Sequence, residues 1–560
     1  MTHLAVPIMV DSTDQALADA ARAAEHGADL VEYRIDRFTD RVDAIADLVE
    51  RSPLPCIATC RPTWEGGEYE GDEARRVECL EAAASRQPAY LDVELAAFQS
   101  PEARERIMAV VDHPGQVGRA TTGLILSAHD FESRPADLFQ RVEAMVSSSA
   151  CRVIKVAWKA RSLRDNLEAF ELIAAQHKPT IAVCMGQFGL PSRVLAPKFG
   201  ALLSFASLDE EGATAPGQVS AEEMKRLYRW GRIDAETAVY GVVGWPVAHS
   251  MSPAIHNAGF HAADVNAVYL PMPIPPEYEH FKATIGAWLD AEPLDFRGAS
   301  VTIPHKENLI RFVKERGGTV EPLAERIGAA NTLHRLPDGS LEAFNTDYAA
   351  ALDSVCHALG VERAELAGRR VAVLGAGGVA RAVVAGFAAH GATVVVHNRT
   401  PERAQALAEQ FNQMDLDALG GDAAHAPSGL GRGGKVVAAP MANLCKSCAE
   451  VFINCTSVGM SPDTDATPMP DPPGSLGRGS VVFDTIYNPP RTRLLDEAEA
   501  AGATTIGGVE MFVRQGAAQF QRWTGADAPL DVFERIMREK LGGGGTSPAP
   551  SNNGDTGAPS

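Results

Sequence analysis

The sequence predicts an α/β protein in two successive bodies: a (β/α)8 TIM barrel, then a two-lobed body whose later lobe is a Rossmann dinucleotide-binding fold. Three observations point there. Up to about residue 206, eight short β-rich runs recur, each followed by a longer stretch able to supply a helix. Near Ala367 a glycine pattern of the form GxGxxA stands between a strand-like and a helix-like run. The chain has 560 residues, more than one core organises.

The eight runs are LAVPIMV, ADLVEYR, PCIATCR, AYLDVEL, TGLILSA, RVIKVAW, PTIAVCM and GALLSFA, beginning near Leu4, Ala28, Pro55, Ala89, Thr122, Arg152, Pro179 and Gly200. A doubly wound sheet shares much of this alternation, but the count of eight favours a barrel. Chemistry on a barrel sits at the carboxy-terminal strand ends. There the sequence places Glu32 and Arg34 (second strand), Arg61 (third), Glu94 (fourth) and His129 (after the fifth). Structural ion pairs are the alternative reading of such residues. Lys155 stands inside the apolar sixth run, where an ammonium is costly to bury unless paired or neutralised. Desolvation, or neighbouring cations such as Arg34 and Arg193, would favour the neutral amine that attacks a ketone. A snorkelling lysine is the alternative. His129, in SAHDFE, is then the candidate proton shuttle.

These residues resemble the type I 3-dehydroquinate dehydratases. VEYRID, TCRPTWEGGE, SAHDFE, VIKVAW, MGQFGLPSRV and TAPGQ occur in that family's order. The resemblance implies a Schiff base on Lys155, general acid and base work by His129, and orientation of that histidine by Glu65. It also implies that Glu32, Arg34, Arg61, Arg193, Thr214 and Gln218 hold the substrate, with Thr214 standing where a serine is expected.

The first body is assigned to 1–233. A charged helical stretch leads from it into VYGVVG, which opens a second body over 234–541. Its substrate lobe is expected at about 238–345 plus 506–541, and its nucleotide lobe at about 346–505. In RVAVLGAGGVARAV, Gly375, Ala376, Gly377, Gly378 and Ala380 form the turn and helix start that let a backbone approach a pyrophosphate. The second strand ends in VVVHNRTPER, with neutral Asn398 where an NAD site presents a carboxylate, and with Arg399, Thr400 and Arg403 following. Two cations there suit a 2′-phosphate, so NADP is the expected cofactor. Exposed surface arginines are the alternative.

From Tyr240 to about Gly525 the chain resembles the shikimate dehydrogenases, on GWPVAHSMSP, SVTIPHKE, GAANTL, FNTDY, INCTSVGM, DTIYNPPRT and GGVEMFVRQ. The resemblance implies Lys306 and Asp347 as the catalytic pair and Ser250, Ser252, Thr302, Asn331, Tyr487 and Gln515 as substrate contacts. The dehydratase-first order, and Tyr348 after Asp347, resemble the bifunctional plant enzymes. Two alternatives are a quinate-directed dehydrogenase, which retention of Ser250 and Ser252 disfavours, and a metabolite sensor that has lost both reactions, which the intact Lys155, His129, Lys306 and Asp347 disfavour.

A formal net charge of −21 disfavours nucleic acid as a partner and leaves small molecules, 3-dehydroquinate, 3-dehydroshikimate and shikimate. No apolar run is long enough to span a bilayer, and the acidic start is unlike a targeting peptide, so a cytoplasmic protein is expected. Nine cysteines, Cys56, Cys60, Cys184 and Cys356 among them, lie scattered in apolar stretches as reduced thiols do. Cys445 and Cys448 form a CxxC without a second pair, so no metal is expected. Residues from about Met414 to Cys445 read as an inserted loop, and 542–560 as a disordered tail.

Overall fold

Side chains alternate between the two faces of a strand, and in the first half this period of two sorts the sequence into layers. The computed structural model describes residues 2–114, 121–209, 218–413, 434–469 and 476–542, without the side chains of 445, 446 and 542. Thr214, most of the inserted loop and the tail beyond 542 lie outside the described residues. Strands β1 (His3–Met9), β2 (Leu30–Arg34), β3 (Cys56–Thr59), β4 (Tyr90–Glu94), β5 (Gly123–Asp130), β6 (Cys151–Lys159), β7 (Thr180–Met185) and β8 (Leu203–Phe205) run in the order β7-β6-β5-β4-β3-β2-β1-β8. Neighbouring strands in this order pair in parallel. The Leu202 amide donates to Thr180 O at 3.0 Å and draws the two ends of this sheet together. All eight expected strands are present.

Leu30, Ile57, Ile125 and Val153 form an apolar floor inside the barrel. Two residues further along the same strands stand Glu32, Thr59, Ser127 and Lys155, so strand periodicity alone lays a polar tier over that floor. Helices clothe the outside, and local chemistry starts them. Ser12 and Asp72 accept from the amides of Gln15 and Arg75, at 3.2 and 2.8 Å, to cap the helices Thr13–Glu25 and Glu73–Ala84.

The next sheet contains β9 (Ala238–Gly244), β10 (Ala267–Pro273), β11 (Phe296–Val301), β12 (Thr319–Val320), β13 (Thr332–Arg335) and β14 (Leu341–Phe344), in the order β10-β9-β11-β13-β14-β12. The third contains β15 (Arg370–Leu374), β16 (Thr393–His397), β17 (Val436–Ala439), β18 (Val451–Asn454), β19 (Val481–Asp484) and β20 (Thr504–Ile506). Its order, β17-β16-β15-β18-β19-β20, is the doubly wound pattern in which ligands bind beyond the strands' carboxyl ends, where the order reverses.

Two compact units result, the first formed by residues up to Val320 with Ala330–Phe344, the second by Glu321–Ala329 with the chain from Asn345 onward. This grouping by compactness differs from the expected division in two places. No separation falls near Ile233, because the barrel and the β9–β14 lobe pack as one unit. Lys198 Nζ donates to Ala235 O and Thr237 O at 2.7 and 2.9 Å, and the buried Trp288 indole donates to Leu163 O at 3.3 Å. Residues 506–541, expected with the substrate lobe, belong to the second unit. There the helix Gly508–Thr524 packs on the helix Thr346–Leu359, and Met511 joins the core of Ala351 and Val355.

Candidate active sites

The barrel mouth gathers most of the polar residues expected there. One cavity is lined by Glu32, Arg34, Arg61, Glu65, His129, Lys155, Arg193 and Gln218, with Phe205, Val183 and Met185 as apolar wall. Lys155 is buried, and its Nζ lies 3.0 Å from Glu32 Oε1, 2.6 Å from Asp92 Oδ2 and 4.6 Å from the centre of the Phe205 ring. Its immediate partners are therefore carboxylates rather than the cations Arg34 and Arg193. The physical reason is register: β2 and β4 deliver Glu32 and Asp92 to the tier that holds Lys155, while Arg34 turns to Asp36, with Nη2–Oδ2 at 2.5 Å.

Asp92 escaped the reading of the strand ends. Its trace was the alternation in AYLDVEL, which puts Asp92 and Glu94 on one face. Arg61 donates to Glu94 at 2.5 Å and to Ser127 at 2.7 Å and lies 2.9 Å from Asp92, while Arg76 holds the other oxygen of Glu94 at 2.6 Å. Burial opposes the charge on Asp92, but Arg61 and Lys155 outweigh it and hold that carboxyl below the usual range. Arg61 is thus fixed within the wall of the cavity.

His129 Nδ1 lies 2.9 Å from Glu65 Oε2, which also accepts from the His129 amide at 3.2 Å. The loop carrying Glu65 must double back over Arg61, and Gly67 permits it, since a Cβ there would sit 2.0 Å from Arg61 O. Burial pushes Glu65 up to about 8. His129 falls well below its ordinary value, through burial first and then the nearby Arg61 and Lys155 charges. Both groups are driven towards their neutral forms, as a proton relay requires.

Arg193 differs from the other cations. It is 2 % exposed, burial lowers it to about 10, and its Nη1 donates to Phe205 O at 3.3 Å. Its buried Nε has no partner among the described residues. A buried guanidinium without a carboxylate, facing a cavity, is a place for an anionic ligand.

In the β9–β14 lobe, Ser250 and Ser252 follow β9, Thr302 and Lys306 follow β11, and Asn331 precedes β13. The Thr302 amide donates to Val243 O at 2.8 Å, the Ala330 amide to Lys306 O at 3.0 Å and the Val301 amide to Asn331 O at 2.7 Å. These bonds bring the segments to one end of the sheet. The Ser252 amide donates to Ser250 Oγ at 3.3 Å.

In the second unit, Asn345 caps the helix Thr346–Leu359 by accepting from the amide of the buried Asp347 at 3.0 Å. Tyr487 follows β19, its ring 5.0 Å from that of Phe512, and Gln515 lies on the helix Gly508–Thr524. Gly375 takes φ +113°, and a Cβ there would meet Cys455 O at 3.0 Å. A Cβ at Gly377 or Gly378 would meet nothing within 4 Å, which leaves the helix start open, whereas Ala380 is fully buried. Asn398 Nδ2 bridges to Thr400 O at 2.9 Å. Arg399 and Arg403 are exposed and make no ion pair among the described residues. That open turn and those two cations fit an anionic dinucleotide.

Fold and sites together define a two-centre enzyme, with a buried-lysine barrel and a dinucleotide-binding dehydrogenase body. Type I 3-dehydroquinase matches residues 4–235, the shikimate dehydrogenase substrate binding domain 242–333, shikimate/quinate 5-dehydrogenase 359–423 and the shikimate 5′-dehydrogenase C-terminal domain 508–538. The chain is 36% identical over 549 residues to a chloroplastic bifunctional 3-dehydroquinate dehydratase/shikimate dehydrogenase of Arabidopsis thaliana, covering 95% of this chain and 84% of that one. It is 41% identical to a shikimate dehydrogenase (NADP(+)) of Methanosarcina mazei over 54% of this chain and 98% of that protein. A crystal structure of a shikimate dehydrogenase with NADP+ aligns with 32% identity and a TM-score of 0.47, over 55% of this chain and 96% of that one. The chain belongs to the bifunctional 3-dehydroquinate dehydratase/shikimate dehydrogenase family.

Proposed function

We propose that this chain dehydrates 3-dehydroquinate to 3-dehydroshikimate through an imine on Lys155 and reduces that product to shikimate with NADPH. The observation that carries the reading is the barrel cavity, where Lys155, the Glu65–His129 pair and the anion-seeking Arg193 meet. Arg193 takes the substrate carboxylate, with Arg34, Gln218, Glu32, Arg61 and Thr214 towards its other oxygens. Lys155 Nζ adds to the ketone carbon and water leaves as the iminium forms. The iminium accepts electron density when His129 removes a proton from the adjacent carbon. The hydroxyl then departs as water, protonated by His129, and hydrolysis of the imine frees Lys155.

In the dehydrogenase half, Ser250 and Ser252 hold the substrate carboxylate, and Thr302, Asn331, Tyr487 and Gln515 its remaining polar groups. The Gly375–Ala380 turn with Asn398, Arg399, Thr400 and Arg403 would hold NADPH, which would supply hydride. Lys306 stabilises the growing negative charge on the ketone oxygen and delivers the proton, and Asp347 is its partner of the pair. No described helix is long and apolar enough to cross a membrane. The eight described cysteines are free thiols, which suits a reducing compartment such as the cytoplasm.

Borohydride added with dehydroquinate tests the reading, since it should trap a covalent adduct on Lys155. An adduct elsewhere, or a Lys155→Ala protein with undiminished dehydratase turnover, would sink it.

A further inference from the structure

Arg193 stands on a short helix, Leu190–Val194, immediately after the loop that leaves β7. One buried side chain organises that loop. Asn166 Nδ2 donates to Leu163 O at 2.9 Å and to Phe188 O at 2.8 Å, and its Oδ1 accepts from the Ser192 amide at 3.0 Å. Ser192 Oγ donates to Gly189 O at 2.8 Å and accepts from the Cys184 amide at 2.9 Å. The backbone on the amino-terminal side of Arg193 is thereby tied to the loops after both β6 and β7.

Both of those loops meet the lobe that follows the barrel. The Phe188 ring stacks on Trp245, with centroids 6.1 Å apart and planes 16° from parallel. Leu163 O, already bound by Asn166, also accepts from the Trp288 indole at 3.3 Å. Trp245 is itself anchored, its amide donating to Ile303 O at 3.0 Å in the segment that carries Thr302 and Lys306. The segment after β11 of the dehydrogenase is therefore joined, through Trp245 and Phe188, to the loop that sets Arg193 in the dehydratase cavity. Barrel and lobe belong to one compact unit, so this contact is part of its packing.

We propose that Trp245, a residue of the dehydrogenase half, is a positioning residue for the dehydratase: through Phe188 it fixes the loop that aims Arg193. The inference rests on the dehydratase reading of the cavity. An aromatic stack adds direction to apolar burial, so its loss leaves the loop to the hydrogen bonds of Asn166 and Ser192. The guanidinium binds substrate in ground and transition states alike, and its displacement therefore raises KM more than it lowers kcat.

The test uses the full-length chain, with dehydratase assayed in the absence of nicotinamide cofactor. Trp245→Ala should raise the KM for dehydroquinate about five-fold with kcat within about two-fold, and Trp245→Phe, which keeps a ring, should restore it. Phe188→Leu, which keeps apolar volume but loses the stack, should reproduce the effect and carries the test should Trp245→Ala not fold. Combined with Trp245→Ala it should add nothing further, as contacting residues in one path behave. A KM unchanged in both single variants, or fully additive losses in the double variant, overturns the positioning role. A wild-type protein that fails to dehydrate dehydroquinate overturns the functional reading, and this inference with it.

Discussion

Lys155 Nζ, on β6, lies 2.6 Å from Asp92 Oδ2, on β4, and Asp92 in turn lies 2.9 Å from Arg61. All three side chains are buried, so Lys155 is one link in a chain of alternating charges from Glu32 to Arg76. Asp92→Asn would leave Arg61 and Lys155 facing each other across a neutral amide. Breaking such a buried pair costs roughly 3–5 kcal/mol, and the barrel's unfolding midpoint in urea should fall accordingly. A loss below about 1 kcal/mol would mean the neighbouring carboxylates absorb the charge.

The Glu65–His129 pair should set the pH profile of dehydration. Burial raises Glu65 to about 8, so it keeps its proton below that pH and ionises above it. Once that proton is gone, the carboxylate 2.9 Å from Nδ1 has none left to relay through the imidazole to the departing hydroxyl. The dehydratase kcat/KM should therefore decline as pH rises past about 8. Glu65→Gln cannot ionise and should lack that alkaline limb, whatever its overall rate. Because His129 is held well below the ordinary histidine range, loss on the acid side should begin below about 6.5. An alkaline limb that survives in Glu65→Gln would assign it to another group.

Cofactor preference should depend on Arg399 and Arg403, which are exposed and free of carboxylates among the described residues. Replacing both with neutral residues should raise the KM for NADP at least ten-fold and that for NAD far less. Equal losses for the two cofactors would place the arginines on the phosphates that both share.

The catalytic groups of the two reactions should be separable by single substitutions. Lys306→Ala should abolish ketone reduction and spare dehydration, so that dehydroquinate with NADPH yields accumulating dehydroshikimate. His129→Ala should make almost no shikimate until dehydroshikimate is supplied. Loss of both activities from either substitution, in a protein with unchanged circular dichroism, would show one interlocked site.

What the sequence determined is what is written locally. Recurring β-rich runs, each followed by a stretch able to supply a helix, identified all eight barrel strands, and position in or at the end of a strand picked out Glu32, Arg34, Arg61 and Lys155 of the cavity. The glycines of the β15 turn and the residues after β16 were legible for the same reason, since backbone freedom and charge there depend on neighbours within a few positions. Tertiary structure decided the rest, which depends on residues far apart in the chain. Only barrel register brings Asp92 to Lys155 across 63 positions and makes its partners carboxylates. Only packing places Trp288 on Leu163 and Trp245 on Phe188, joining barrel and lobe where the sequence suggests a boundary. The same packing sends the helix Gly508–Thr524 to the second unit, because its apolar face finds Ala351 and Val355 there, a choice among surfaces that no local pattern encodes.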